Sequence, residues 1–410
     1  MLSFRIAIIP VLITIPIFLI SCSDDTVTSD MNHDSVGIEA DDGHINFSGD
    51  LNQILVAPDT GESDRFSSSI AVEKNVDVVG APGVKNHDDF PAGAAYIFRK
   101  HGDLWQYEDT LVPDDDENFG SFGIEVAISK NVIAVSDFSA NLVYVFEEKN
   151  NSWSLAATIE PEDEDPRDNF GSSLAVDGRF LAIGDPDFRD VGTVHIYERK
   201  SKSWELSDVV SASDGSIADS FGSDVSLSGQ TLLASSDLPS KAYIFERRGR
   251  NWHETAILRP DDLVANGFGT SVSLSGRTAV IGNPLDNEIA PNAGAAYIFE
   301  KKQNSWNQIR KITNPDGKED DRFGESVAID RRLIAIGVPA PPTLTSNLPT
   351  SFYVKKLGNN WGDITELTTN EVDHGDLFGQ SVAVSGKFIL IGTPGDDEEG
   401  TDAGKVYVFE

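Results

Sequence analysis

A single cysteine among 410 residues leaves no partner for an internal disulfide. Basic residues are scarce as well: 32 Lys+Arg stand against 67 Asp+Glu, a formal net charge of −35. A nucleic-acid binder needs clustered Lys and Arg against phosphate, so that class is excluded. Long apolar runs are absent except for one stretch, Ile6 to Ile20, which excludes a multi-span membrane protein. The seven histidines are scattered, with no His-Glu-x-x-His or Cys/His metal spacing, and no Gly-x-Ser-x-Gly elbow occurs. What the chain has instead is 39% hydrophobic residues, 35 Gly and 19 Pro, the composition of a folded, turn-rich protein.

The first 22 residues place a charge (Arg5) before the apolar stretch and a small residue, Ser21, before Cys22. This is the order of a secretory signal, and Pro10 and Pro16 argue against a stable spanning helix. The ending Leu19-Ile20-Ser21-Cys22 resembles the lipobox of bacterial lipoproteins. That resemblance implies residues 1–21 as signal peptide and lipidation of Cys22, with palmitate among the expected acyl groups; two or more chains give stable anchoring. Residues 22–45 are rich in Asp and Ser with no apolar period and read as a disordered acidic tether. Asp24 and Asp25, just after the cysteine, resemble the surface-export signal of some Gram-negative lipoproteins. They read equally as solvated tether residues.

From residue 46 onward the chain repeats itself. Phe-Gly recurs at Phe122-Gly123, Phe170-Gly171, Phe221-Gly222, Phe268-Gly269, Phe323-Gly324 and Phe378-Gly379, with Phe66-Ser67 as a seventh copy lacking the glycine. All six tryptophans keep the same register, each 16 or 17 residues before the next phenylalanine. One unit reads as four strands: A after Phe-Gly, a two-residue turn, an apolar B ending in Gly-x-Pro, an aromatic C, and D from the tryptophan onward. Strand B is apolar on both faces and must lie between sheets, as stacked propeller blades require. The last unit has no strand D, whereas an orphan strand at Leu51–Pro58 precedes the first. The expected fold is therefore all-β: a seven-bladed propeller of four-stranded antiparallel blades over residues 46–410, closed by the N-terminal strand.

The pattern Phe-Gly…Ile-Gly-x-Pro resembles the FG-GAP repeat, known from the propeller of integrin alpha subunits and from bacterial surface proteins. Calcium-binding members carry an Asp-rich loop between strands A and B. Here that connection is only a turn, such as Glu73-Lys74 or Ser385-Gly386, which cannot offer six to eight oxygens. The resemblance thus implies the variant without calcium loops, and no cofactor or metal is expected. The acid runs Asp114–Glu117 and Asp396–Glu399 leave ion ligation as the alternative to solvated loops.

No catalytic constellation stands out, because carboxylate pairs are abundant throughout and the lipobox resemblance implies that Cys22 is taken up by lipid. His195 holds the repeat position of Tyr96, Tyr144 and Tyr243 and reads as a packed substitute. The expectation is a non-enzymatic, lipid-anchored protein of the bacterial cell envelope, at the outer membrane or cell surface, using its propeller to bind a protein or glycan. Its partners would be the membrane, through the anchor, and that envelope or extracellular ligand, but no nucleic acid. The alternatives are a propeller enzyme cutting polysaccharide with loop carboxylates, or a structural lipoprotein of an envelope complex. Lys and Arg collect on the side of the A–B and C–D turns, which would face the membrane. On the other side the B–C loops are long in units five, six, seven and one. That arc is where binding is expected, with Asp88, Asp89, Asp286, Asp396 and Asp397 as candidate ligand-binding residues.

Overall fold

The computed structural model describes residues 47–410 except 88, 114–119, 162–168, 187–190, 202, 218, 237–239, 263–266 and 341–348. The leader, the tether, Cys22, Asp88 and the acid run Asp114–Glu117 lie outside the described residues.

Seven antiparallel sheets form the blades of one propeller. Blade 1 is typical: strands Ile70–Glu73, Val76–Ala81, Ala94–His101 and Leu104–Leu111 pair in chain order from the channel outward. Strand B is buried along its whole length here and in blade 7, at Phe388–Thr393, because neighbouring blades cover both faces. Strand D, on the rim, is buried only at Trp105 and Leu111 and is otherwise half-buried or exposed, since one of its edges has no neighbouring strand.

The repeat motif follows from how two blades touch. All seven motif phenylalanines are buried, and six meet the strand C ring edge-on, as Phe66–Tyr96 does at 5.6 Å, Phe268–Tyr297 at 5.3 Å and Phe378–Tyr407 at 5.4 Å, while Phe323 meets Phe352 at a tilt. The glycine after six of them has φ between +87° and +103°, a region closed to most side chains. The glycine of Ile-Gly-x-Pro packs onto it from the preceding blade. A Cβ on Gly80 would stand 1.9 Å from the Gly123 carbonyl oxygen, and one on Gly282 would stand 2.0 Å from that of Gly324. The two halves of the motif are therefore two sides of one seam.

The A–B turns close a second ring. In every blade the last strand A side chain accepts the turn amide of the next blade: Glu73 from Lys130, Ser129 from Gly178, Asp177 from Gly229, Ser228 from Gly276, Ser275 from Arg331, Asp330 from Gly386, and Ser385 from Lys74. All seven seams are spanned, including the one between blades 7 and 1.

Closure by the N-terminal strand is as expected. Leu51–Leu55 pairs with Lys405–Phe409 as the outer strand of blade 7. It also carries the bulge of the other D strands: Asn52 is the extra residue here, as Glu108 is in blade 1 and Thr255 in blade 4. The Gln53 amide grips blade 1 twice, donating to the Trp105 carbonyl and accepting the Trp105 N–H, both at 2.8 Å. Blade 6 departs from the expected continuous strand D. Its outer strand is split into Asn360–Trp361 and Thr365–Leu367, where Gly362 turns its N–H onto the Lys355 carbonyl at 2.8 Å.

Candidate functional site

B–C and D–A loops share one face of the ring; A–B and C–D turns share the other. On the loop face, the predicted aspartates have separate employments. Asp286 is buried, accepts the Tyr297 hydroxyl at 2.9 Å and pairs with Lys311 at 2.8 Å. Burial works against the Lys311 charge, but Asp262, Asp286 and Glu288 around the ammonium outweigh it and hold Lys311 above its ordinary range. Asp396, equally buried, pairs with Lys405 at 3.1 Å and accepts the Glu398 amide at the same distance. Asp397 accepts the Asp402 amide at 2.8 Å, just as Asn287 accepts that of Asn292 in blade 5. Asp89 is exposed, 3.3 Å from Lys85. Asp286 and Asp396 thus shape their loops from within, while Asp89 sits on the surface. Among the described residues, no three His, Cys, Asp or Glu side chains gather in a way that could hold a metal ion.

Two concave features escaped the sequence reading. The first is a groove of about 580 Å³ at blade 6, within the arc of long loops. Phe352, Leu367 and Phe378 form its floor, and Asp316, Thr350 and Glu366 stand on its rim. Its sequence signals are Phe352, where other blades have Tyr or His195, and the strand break at Gly362. The second is the axial channel, about 470 Å³, lined by strand A of all seven blades. The third residue after the motif phenylalanine faces it: serine in five blades, Glu125 in blade 2 and Asp224 in blade 4. Burial, with the Asp224 charge added, pushes the Glu125 carboxyl up to about 8, although Ser69 donates to it at 3.1 Å. Asp224 itself is tied down by the amides of Val225 and Val272.

On the opposite face part of the expected basic surface is a girdle of five ion pairs between blades. Arg99 meets Glu148 at 2.8 Å, Glu147 meets Arg199 at 2.7 Å, and Glu198 meets Arg247 at 3.5 Å. Glu246–Lys301 and Glu300–Lys356 continue the series. These five cations are matched by carboxylates at the ends of strand C, which offsets part of the positive field that favoured a membrane-facing side.

Comparison with curated proteins gives no match. Among solved structures, a chain of the crystal structure of the mitotic checkpoint complex is similar with a TM-score of 0.55 and 10% identity, over 96% of this chain and 98% of that one. Sqt1 of Saccharomyces cerevisiae is similar with a TM-score of 0.50 and 12% identity, over 88% and 99%. At such identities the likeness is one of fold alone. The FG-GAP repeat matches at residues 50–98, 153–197, 252–299, 306–342 and 361–409, more than half of the chain. With the motif glycines meeting across the blade seams and seven blades closed into a ring, this chain belongs to the FG-GAP repeat family.

Proposed function

We propose that this protein is a lipid-anchored envelope protein whose propeller binds a protein or glycan through its loop face and does not turn its ligand over. The FG-GAP propeller supports a protein-binding role in general. The observation that carries the finer reading is the loop face itself. The long loops of blades 5 and 7 are held from within by Asp286–Lys311 and Asp396–Lys405, and they flank a groove with an apolar floor. Loops fixed in this way lose little entropy on binding. The anchor rests on the order Arg5, Ile6 to Ile20, Ser21, Cys22.

Two experiments test this. Cys22→Ser should leave the protein unprocessed or release it from the membrane fraction, and unchanged detergent partitioning would count against the anchor. For binding, residues 46–410 are screened on a glycan array and against intact cells, with parallel hydrolysis assays. Changing the exposed loop tips (Phe90→Ser and Ile289→Ser) while keeping Asp286 and Asp396 should weaken capture at least tenfold. Turnover abolished by a single loop carboxylate change would overturn the binding reading. So would capture that survives the tip changes but fails with Lys130→Glu on the opposite face.

A further inference from the structure

Blades 4 and 6 enter through loops of the same build. In blade 4, Gly215 donates to the Ala212 carbonyl and Asp219 caps the Ser216 amide at 2.7 Å. In blade 6, Gly317 donates to the Asn314 carbonyl and Asp321 caps the Lys318 amide at 2.6 Å. Asp316 of blade 6 is therefore the counterpart of Asp214 in blade 4. Asp214 is fully engaged: Lys241 at 2.8 Å, Arg259 at 3.0 Å and the Tyr243 hydroxyl at 2.9 Å. Strand register gives the blade 6 counterparts of those three partners. Lys241 becomes Thr350, Tyr243 becomes Phe352, and Arg259 becomes Thr368. Not one of them carries a charge.

Among the described residues Asp316 has no ion pair, and Asp316, Thr350, Phe352 and Thr368 all line the blade 6 groove. Glu366, beside Thr350 at 3.0 Å, adds a second exposed carboxylate. Lys318, the only cation among the lining residues, has an interaction of its own. The groove thus keeps the carboxylate of blade 4, replaces its cations with threonines, and leaves an apolar floor of Phe352, Leu367 and Phe378 beneath. An arginine or lysine fits that combination, since its methylene stem lies on apolar surface while its head meets carboxylates.

We propose that the blade 6 groove receives an arginine or lysine side chain from a partner protein, which takes the place that Lys241 and Arg259 hold in blade 4. This rests on the loop face being the binding face and specifies the partner as a protein presenting a cationic side chain there.

The probe is N-acetyl-arginine methylamide, with N-acetyl-citrulline methylamide as its neutral isostere, titrated into isotopically labelled residues 46–410. Saturable amide shifts are expected at Asp316, Gly317 and Thr368 with the arginine probe, and at least tenfold weaker ones with citrulline. Asp316→Asn should weaken binding at least fivefold. Thr368→Arg, on an exposed strand end, should supply the missing cation internally and abolish binding; Thr350→Lys is the second such variant should the first misfold. Equal binding of the citrulline probe, or an unchanged response in Asp316→Asn, overturns the assignment. If cell capture is lost on changing Phe90 and Ile289 yet is untouched by Thr368→Arg, the groove assignment fails while the binding face stands.

Discussion

Ser67 holds a backbone that the other six blades entrust to glycine. Its φ is +79°, and its side chain is fully buried. Such a conformation costs a non-glycine residue about 1–2 kcal/mol. The hydroxyl offsets part of that cost by accepting the buried Thr393 N–H at 2.9 Å. The two effects can be separated. Ser67→Gly removes the strain and the bond together, so the change in stability is small. Ser67→Ala keeps the strain and orphans the amide, costing about 1–3 kcal/mol. Chemical denaturation should rank wild type and Ser67→Gly close together, with Ser67→Ala clearly lower. The reverse order would mean that the hydroxyl contributes nothing.

Asp77 poses the opposite problem. It lies in strand B of blade 1, fully buried, where blades 2 and 3 place Ile133 and Leu181, and neither carboxyl oxygen has a hydrogen-bond partner. Burial pushes its carboxyl well above the ordinary range. The native carboxyl therefore keeps its proton to higher pH than the unfolded chain does, and stability falls as pH rises above about 4. Asp77→Val, close in volume, should gain about 1–3 kcal/mol at pH 7 and lose that part of the slope. An Asp77→Val variant less stable than wild type at pH 7 would require an undetected partner for the carboxylate.

At the scale of elements, the question is what holds the ring shut. Leu51–Leu55 supplies only five residues, but it pairs with strand C of blade 7 and is bound to blade 1 through Gln53. Removing residues 46–58 would uncover the edge of Lys405–Phe409, and an open edge invites pairing with other chains. A large loss of soluble yield is expected. Gln53→Ala is the milder test: it deletes both bonds to Trp105 and should cost about 1–3 kcal/mol without opening the sheet. A monomer with an unchanged melting temperature after the deletion would contradict closure by this strand.

The same scale shows what could be read from the chain alone. Blade number, strand order and closure were legible because Phe-Gly, Gly-x-Pro and Trp recur in one register, and each repeat must bury strand B on both faces. The candidate site was not. Asp286 and Asp396 are acidic loop residues in sequence, yet Lys311 and Lys405 lie 25 and 9 positions away, and nothing local announces either pairing. The groove depends on Thr350, Phe352 and Thr368 being compared with Lys241, Tyr243 and Arg259, which only strand register permits. Charge was misleading on the opposite face for the same reason. A Lys or Arg on a C–D turn counts as surface charge until its carboxylate partner on the next blade is seen.

For the whole molecule, two groups of carboxylates pull the pH dependence in opposite directions. Arg99 holds Glu108 below its ordinary range, so the stability from that pair is present above about pH 4.5 and is lost as pH falls. Glu125 in the channel titrates near 8, and Asp376, raised by burial and by Asp396 beside it, near 6. These groups keep their protons in the native state after the unfolded chain has lost them. Their effect runs the other way: nothing is lost below about pH 4, and stability declines as pH rises toward 6 and then 8. The net charge of −35 adds long-range repulsion that also grows as carboxylates ionise. The melting temperature should therefore peak at about pH 5–6 and fall toward pH 8. Glu125→Gln should flatten the segment between pH 6 and 8, where its proton is the one at stake. Salt separates repulsion from pairing. Screening weakens exposed repulsion more than it weakens the part-buried girdle, where Arg247 and Glu198 are 10% and 8% exposed. Raising NaCl from about 10 mM to about 0.2 M at pH 8 should then raise the melting temperature by a few degrees. A fall over that range would show that the girdle between blades, and not the excess of negative charge, sets the electrostatic balance of the ring.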